Sequence, residues 1–174
     1  MSDEPSQPPT SADLAALAQR AADAKGVERG ALTRRDAAVV AAVRAGARLD
    51  EIALAANLTK AAASAIARKT LPPRTRRGGP YQRRRGVEAA LTVVSAASLT
   101  AAAATRERLH TVGERDAAIL LATEHGVAAR AIAEVVGMDT KVLHNLIRRR
   151  RFEAASKRKG TLASHVANEE HATP

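Results

Sequence analysis

The chain contains one pattern of 36 residues twice. Residues 34–69 and 114–149 align without a gap at an offset of 80, and nine of the 36 aligned pairs are identical. An Arg-Asp-Ala-Ala sequence, a glycine, an Ile-Ala pair and a late arginine recur in the same order. These residues are Arg35 to Ala38, Gly46, Ile52, Ala53 and Arg68 in the first copy, and Arg115 to Ala118, Gly126, Ile132, Ala133 and Arg148 in the second. The repeat predicts two equivalent modules in one chain.

The side chains available for a core favour an all-α fold. Of the 174 residues 45% are hydrophobic, but only Tyr81 and Phe152 are aromatic, so the core must consist of Ala, Leu, Val and Ile. Such side chains suit closely packed helices, whereas β-sheets are enriched in aromatic residues. The absence of cysteine excludes disulfides and thiolate metal sites and fits a cytoplasmic protein.

End signals divide the chain up to the end of the first copy into four predicted helices. They are Ser11 to Lys25 ended by Gly26, Thr33 to Gly46 with Thr33 and Asp36 as a capping pair, Leu49 to Ala56, and Thr59 to Lys69. Because Asn tolerates the left-handed conformation, we expect the turn before the last helix at Asn57 and Leu58.

The second copy repeats this plan after a basic linker. We first expect an Ala-rich, buried helix from Val87 to Leu109. Thr111 and Glu114 are then predicted to form a capping pair for a helix that ends at Gly126. A short helix over 128–136, a turn at Gly137 and Met138, and a helix from Thr140 to Phe152 complete the prediction. The predicted organisation is a disordered tail (1–10), a first domain (11–70), an Arg-rich linker (71–86), a long helix plus second domain (87–156) and a flexible tail (157–174).

The short helix and its successor have a fixed spacing of small, turn and apolar residues. A small residue stands where two helices cross, at Ala53 and Ala133, and a residue that tolerates positive φ follows four positions later, at Asn57 and Gly137. Apolar residues then stand one, six and nine positions after the turn. They are Leu58, Ala63 and Ile66 in the first copy, and Met138, Leu143 and Leu146 in the second.

With these residues the chain resembles the helix-turn-helix superfamily in its tri-helical form. It is similar to the DNA-binding parts of bacterial sigma-like regulators, resolvases and phage repressors over roughly residues 33–70 and 111–152. The resemblance implies that the third helix of each unit enters the major groove and that the preceding helix lies across the DNA backbone. The Arg- and Ala-rich composition is typical of a high-GC actinobacterium or its phages or plasmids.

The net charge of +10 is concentrated in two segments. Residues 70–86 carry six arginines and no acidic residue, and residues 148–159 carry seven basic residues and Glu153, so each segment contributes +6 and the rest of the chain −2. Clustered cations displace condensed counterions from nucleic-acid phosphates, so the pattern favours DNA binding. The alternatives are a solvated basic surface or an acidic protein partner.

The outward positions of the third helices are candidate base-reading residues. They are Thr140, Lys141, His144, Asn145 and Arg148 in the second copy, and Lys60, Ala61, Ser64, Ala65 and Arg68 in the first. Asn pairs with adenine and Lys or Arg with guanine, whereas alanine offers only apolar contact, so we expect the second copy to discriminate sequence more strongly. The alternative is an ordinary solvent-facing surface. Asp139 is predicted to be a helix cap rather than a base contact.

Other arginines are predicted to contact the DNA backbone or the minor groove. They are Arg74, Arg76, Arg77, Arg83, Arg84 and Arg85 in the linker, and Arg149, Arg150 and Arg151 after the second unit. Tracking phosphates is the favoured interpretation for the linker, with insertion into a minor groove as the alternative.

These patterns predict a sequence-specific transcriptional regulator, with a repressor as the favoured subtype. The alternatives are a sequence-tolerant architectural, packaging or maintenance protein of phage or plasmid DNA, and a protein-interaction adaptor. The sequence contains no phosphate-binding loop and no metal or catalytic motif, so we expect no enzyme activity, no metal and no cofactor. We expect double-stranded DNA as the partner, no membrane association, and a cytoplasmic, nucleoid-associated location. A homodimer and a contact with RNA polymerase are left open.

Overall fold

The protein is all-α in the part of the chain that the structure describes. The computed structural model describes residues 7–71 and 86–169, which form six helices and no strand. The helices are α1 (Ser11–Ala45), α2 (Leu49–Ala56), α3 (Lys60–Thr70), α4 (Val87–Glu124), α5 (Ala129–Val136) and α6 (Thr140–Glu169). The predicted all-α class is therefore confirmed, and the predicted bounds of α2 agree with the structure.

Two predicted helix breaks are wrong. Both α1 and α4 are continuous, the first through Gly26 and the second through Thr111. The predicted capping threonines instead bond back along their own helices, since the Thr33 hydroxyl donates to the Arg29 carbonyl at 3.0 Å and the Thr111 hydroxyl to the Arg108 carbonyl at 3.1 Å. A threonine hydroxyl can cap a free N–H or bond the preceding turn, and the surrounding Ala-rich sequence, with its high helix propensity, favours the second role.

Gly26 offers a direct test of this continuity. A β-carbon at this position would meet no heavy atom within 4 Å, and the residue lies inside α1. We expect Gly26→Ala to raise the free energy of unfolding by about 0.5–1 kcal/mol, because alanine loses less backbone entropy in a helix. Thermal or denaturant unfolding measures this change.

Gly126 is the matched control for Gly26, because its φ is +82° although its surroundings are equally open. The substitution Gly126→Ala should therefore lower stability, since alanine is strained in that conformation. If Gly26→Ala were also destabilising, a left-handed helix end at Gly26 would be the better description.

The predicted turns at Asn57 and Gly137, and the predicted caps of α3 and α6, are confirmed. Asn57 ends α2 with φ 50° and Gly137 ends α5 with φ 65°, so both turns use the left-handed conformation. The Thr59 hydroxyl accepts a hydrogen bond from the Ala62 amide at 3.2 Å, and an Asp139 carboxylate oxygen accepts one from the Lys141 amide at 2.7 Å. These bonds satisfy amides that a helix start leaves free.

Helix α6 is longer than predicted. It continues past Phe152 to Glu169, so the predicted flexible tail from residue 157 onward is helical up to that point. Helix formers such as Glu153, Ala154 and Ala155 follow the predicted end, and nothing among them stops a helix. Residues 170–174, and residues 1–6 of the predicted N-terminal tail, lie outside the described residues.

The chain divides into two compact units. The copy-one unit comprises Arg20–Thr111 and contains the first copy of the repeat, and the copy-two unit comprises Met1–Gln19 with Val112–Pro174 and contains the second. This division differs from the predicted domains 11–70 and 87–156, because each unit includes the N-terminal turns of a long helix that begins before the other copy.

Equivalent positions of the repeat form the two cores. In the copy-one unit Val94 of α4 belongs to the buried cluster of Val39, Ile52 and Ala63. In the copy-two unit Leu14 of α1 belongs to the buried cluster of Ile119, Ile132, Ala133, Leu143 and Ile147. Leu14 and Val94 are 80 residues apart, as are Val39 and Ile119. The correspondence therefore extends beyond the aligned segments, and each core is completed by a helix start from the other half of the sequence.

The predicted core residues of the short helices lie where expected. Ala63 and Leu143 are fully buried, and the other four predicted positions are half-buried and pack against the same clusters. These four are Leu58, Ile66, Met138 and Leu146.

Among the described helices, α4 alone is long and apolar enough to cross a membrane, a criterion that core helices of soluble proteins also meet. Its residues Val87, Val94 and Ala101 are buried in the copy-one unit. Only 28% of its most apolar stretch is buried, however, so the expectation of a buried helix holds for one face of α4.

Candidate nucleic-acid interface

The first turns of α6 present one continuous polar face to solvent. Lys141, His144, Asn145 and Arg148 are all exposed, and their spacing of three, one and three residues places them on the same side of the helix. Thr140 at the helix start is half-buried. On the opposite side Leu143 and Ile147 are buried in the copy-two core, which fixes the rotation of α6 about its axis.

The start of α6 is also fixed along its axis. The left-handed turn at Gly137 closes with a hydrogen bond from the Met138 amide to the Ala133 carbonyl at 2.9 Å. Asp139 then caps the helix, as predicted, so its carboxylate is directed at backbone amides. Lys141 is therefore the first side chain of α6 that is both charged and exposed.

Arg150 is anchored inside the copy-two unit. Its guanidinium bonds a carboxylate oxygen of Asp116 on α4 at 3.2 Å and Glu153 at 3.3 Å. The other oxygen of Asp116 accepts hydrogen bonds from the Arg115 guanidinium, the shorter at 2.8 Å. Asp116 is only 5% exposed, and its hydrogen bond is the main cause that raises the pKa of Arg150 above its ordinary value.

This anchoring separates Arg150 from its neighbours. Arg149 and Arg151 are exposed, and Arg149 forms an ion pair with Glu153 at 3.1 Å. The three arginines predicted to contact the DNA backbone therefore differ in their surroundings, because Arg150 holds α6 against α4. The sequence pattern did not distinguish Arg150 from the arginines beside it. The matching position in the first copy is the uncharged Thr70, which marks a difference between the copies.

The corresponding face of α3 carries fewer polar side chains, and its two basic side chains bond other groups of the protein. Lys60 forms an ion pair with Asp50 of α2 at 2.6 Å, and this hydrogen bond holds the pKa of Asp50 below its ordinary value. Arg68 lies along its own helix, with its Nε donating to the Ser64 carbonyl at 3.4 Å, and Ser64 is half-buried. Ala61 and Ala65 are exposed between them.

The helices that precede the two faces differ in charge. Asp50 and Glu51 of α2 correspond to Arg130 and Ala131 of α5. Residues 49–70 contain three basic and two acidic residues, whereas the equivalent residues 129–150 contain five basic and two acidic residues, so the net charges are +1 and +3. The copy-two face is therefore the more attractive of the two for an anionic partner.

The six linker arginines predicted to contact DNA fall on residues 72–85, outside the described residues. These residues are Arg74, Arg76, Arg77, Arg83, Arg84 and Arg85. Within the described part of the chain, no group of three or more His, Asp or Glu side chains could hold a metal ion.

Comparisons of the chain with protein-family models, with curated proteins and with solved structures give no match.

Proposed function

We propose that this protein is a sequence-specific, double-stranded DNA-binding transcriptional regulator, and that it acts as a repressor. In this proposal α2 with α3, and α5 with α6, are two non-identical helix-turn-helix units. The observation that carries the proposal is the exposed face of Lys141, His144, Asn145 and Arg148 at the start of a helix whose rotation and start are fixed. The protein acts at the nucleoid in the cytoplasm and needs neither a membrane nor a cofactor.

The geometry of α6 supports insertion into a major groove. A helix fits that groove, and its first turns then meet the base edges. The Asn145 amide can bond adenine through two hydrogen bonds, and Lys141 or Arg148 can bond guanine. The carboxylate of Asp139 accepts hydrogen bonds from the first amides of α6, so in this proposal it caps the helix rather than contacting a base. In this proposal Arg130 on the preceding helix, together with Arg149 and Arg151, contacts phosphates, and all three side chains are exposed.

The two units have unequal roles in this proposal. Lys60 must leave its ion pair with Asp50 before it can contact DNA, and the exposed alanines of α3 can only make apolar contacts. An exposed ion pair of this kind contributes little, so Lys60 remains available for phosphate contact at a small cost. The copy-two unit therefore reads sequence, and the copy-one unit mainly adds affinity.

The proposed reading residues are tested by substitution on a selected site. After selection of a binding site from random duplexes, we expect Lys141→Ala or Asn145→Ala to weaken binding by about 1–3 kcal/mol and to relax preference at one or two base pairs. Binding titrations on the selected duplex and on single-base variants of it measure both effects.

Two controls accompany these variants. Ser64→Ala, at the position of α3 that matches His144, should change binding by less than either substitution in α6. Replacement of Arg83, Arg84 and Arg85 together should weaken all duplexes alike and reduce the dependence on salt. If the substitutions in α6 and the triple arginine replacement changed binding in the same way, the proposed division between residues that read bases and residues that contact phosphates would be wrong.

The main rival function is sequence-tolerant coating of DNA, which the two basic segments favour. Footprinting at rising salt distinguishes it from regulation. A regulator protects one discrete site until salt displaces it, whereas uniform protection of any duplex would show an architectural protein. Failure to retain DNA even at low salt would exclude both DNA functions and leave the protein-interaction adaptor.

A further inference from the structure

One face of α4 in the copy-one unit is apolar and exposed. Seven outward positions of this helix, spaced by three or one residues so that they share one face, carry no charge and are all exposed. These residues are Ala89, Thr92, Val93, Ala96, Leu99, Thr100 and Ala103. Val93 is 58% exposed and Leu99 is 70% exposed. We call this set the α4 stripe.

The repeat supplies an internal comparison for the α4 stripe. Six of the seven equivalent positions, 80 residues earlier, lie on α1 and are exposed as well, yet they include Asp13, Gln19, Arg20 and Asp23, and the seventh, Pro9, precedes α1. Val93 corresponds to Asp13, and Leu99 corresponds to Gln19. The same face of two equivalent helices is thus polar on α1 and apolar on α4. The fold therefore does not require an apolar face at these positions, and an exposed apolar surface that the fold does not require is typical of an interaction site.

A groove beside the α4 stripe extends the apolar surface. It has a volume of about 540 Å³, and its lining includes Leu99 and Ala102 of α4 and Leu54 of α2 together with the charged Arg35 and Arg106. Leu54 is 86% exposed, whereas its equivalent in the second copy is Glu134. Ser98 also lines the groove, is 9% exposed, and its hydroxyl has no hydrogen-bond partner among the described residues.

The order of residues in the α4 stripe points to a second copy of the same helix. Read in either direction from Ala96, the stripe has Val93 or Leu99 at three residues, Thr92 or Thr100 at four, and Ala89 or Ala103 at seven. An antiparallel partner centred on Ala96 would therefore place threonine opposite threonine, alanine opposite alanine, and Val93 opposite Leu99.

We propose that α4 pairs antiparallel with α4 of a second copy, about a two-fold axis at Ala96. Self-complementary surfaces of this kind form isologous dimers. The alanines allow a close approach of the two backbones, and Leu54 adds apolar contact at the edge. A lipid surface fits the stripe less well, because helices that lie on membranes carry many bulky apolar residues with several Lys and Arg beside them. This stripe has only Val93 and Leu99 as larger apolar residues, and it is bordered by Glu88 and Glu107 as well as by Arg106.

The dimer is tested on the full chain without DNA, so its outcome is independent of the proposed function. We expect light scattering after size-exclusion chromatography to show a dimer at micromolar concentration. The double variant Val93→Glu with Leu99→Glu should raise the dissociation constant at least 100-fold, because two acidic side chains would then face each other at each contact. Gln19→Glu, at the α1 position that matches Leu99, should leave it unchanged. Circular dichroism confirms that the variants remain folded.

Two further variants test the direction and centre of the pairing. Val93→Lys combined with Leu99→Glu should restore the dimer, since opposite charges face each other only when the helices are antiparallel. The chain has no cysteine, so Ala96→Cys should form a disulfide-linked dimer at the two-fold axis, whereas Ala16→Cys, its exposed equivalent on α1, should not.

The proposal is overturned by a monomer at every concentration up to about 100 µM. It is also overturned by a dimer that survives the Val93→Glu with Leu99→Glu substitution, or by equal cross-linking through Ala96→Cys and Ala16→Cys. Flotation of a monomer with anionic phospholipid vesicles, lost in the double glutamate variant, would assign the stripe to a membrane surface instead.

Discussion

Replacement of Leu14 by alanine is expected to lower the stability of the copy-two unit by about 2–5 kcal/mol, the range for a buried leucine. Leu14 lies near the N-terminus, 100 or more residues before most of its neighbours in the sequence. It is nevertheless only 3% exposed and belongs to the cluster of Ile119, Ile132 and Leu143 beneath α6. The cavity left by alanine would lie under the helix that carries the proposed base-reading residues.

Hydrogen exchange measured residue by residue can localise this effect. Amides of residues 112–152 should lose protection first in Leu14→Ala, whereas amides of the copy-one core around Val39 should lose less. Val94→Ala, the equivalent substitution in α4, should reverse the pattern. Leu109→Ala is the control for a leucine of the same size, because that side chain is 56% exposed and lies outside the α4 stripe, and its removal should change the free energy of unfolding by less than about 1 kcal/mol.

Local signals explain why the turns and caps could be predicted. The roles of Asn57, Gly137, Thr59 and Asp139 depend on chemistry within three or four residues, namely a left-handed φ or a hydrogen bond to the next helix turn. The buried residues of the short helices follow from the same periodicity. Neither feature requires knowledge of which distant helix lies opposite.

Other features depend on contacts that a local pattern does not contain. Gly26 and Thr33 resemble the end of one helix and the start of the next, but the Ala-rich sequence between them forms helix throughout. The periodicity that predicts burial of Leu14 does not specify that its partners come from the second copy. The role of Arg150 is similar, because a run of four arginines gives no indication that one of them bonds a buried aspartate 34 residues earlier.

Asp116→Ala should be the most damaging polar substitution among the described residues. It would leave Arg115 and Arg150 without the carboxylate that both of them bond. Breaking a fully buried ion pair costs about 3–5 kcal/mol, and here we expect about 2–3 kcal/mol because 34% of the Arg150 side chain is exposed to solvent. Denaturant unfolding measures this loss.

Asp36→Ala is the matched control for Asp116→Ala. Asp36 occupies the equivalent position of the first copy and bonds Arg35 at 2.7 Å, but its side chain is 44% exposed. We therefore expect its removal to cost about 1 kcal/mol or less. Similar losses for the two variants would show that burial of Asp116 and its bond to Arg150 contribute little.

The same pair of residues connects stability with the proposed recognition of DNA. Asp116 joins α4 to α6 two residues beyond Arg148, so its loss should let the reading face of α6 shift relative to the copy-two core. Binding of Asp116→Ala to a selected site should fall by more than ~10-fold at a temperature where the variant is still folded, while binding to random duplexes changes little. Arg151→Ala, an exposed neighbour, should do the opposite by weakening all duplexes slightly and leaving stability unchanged. If both variants affected binding in the same way, Arg150 would act as a phosphate contact rather than as a positioning residue.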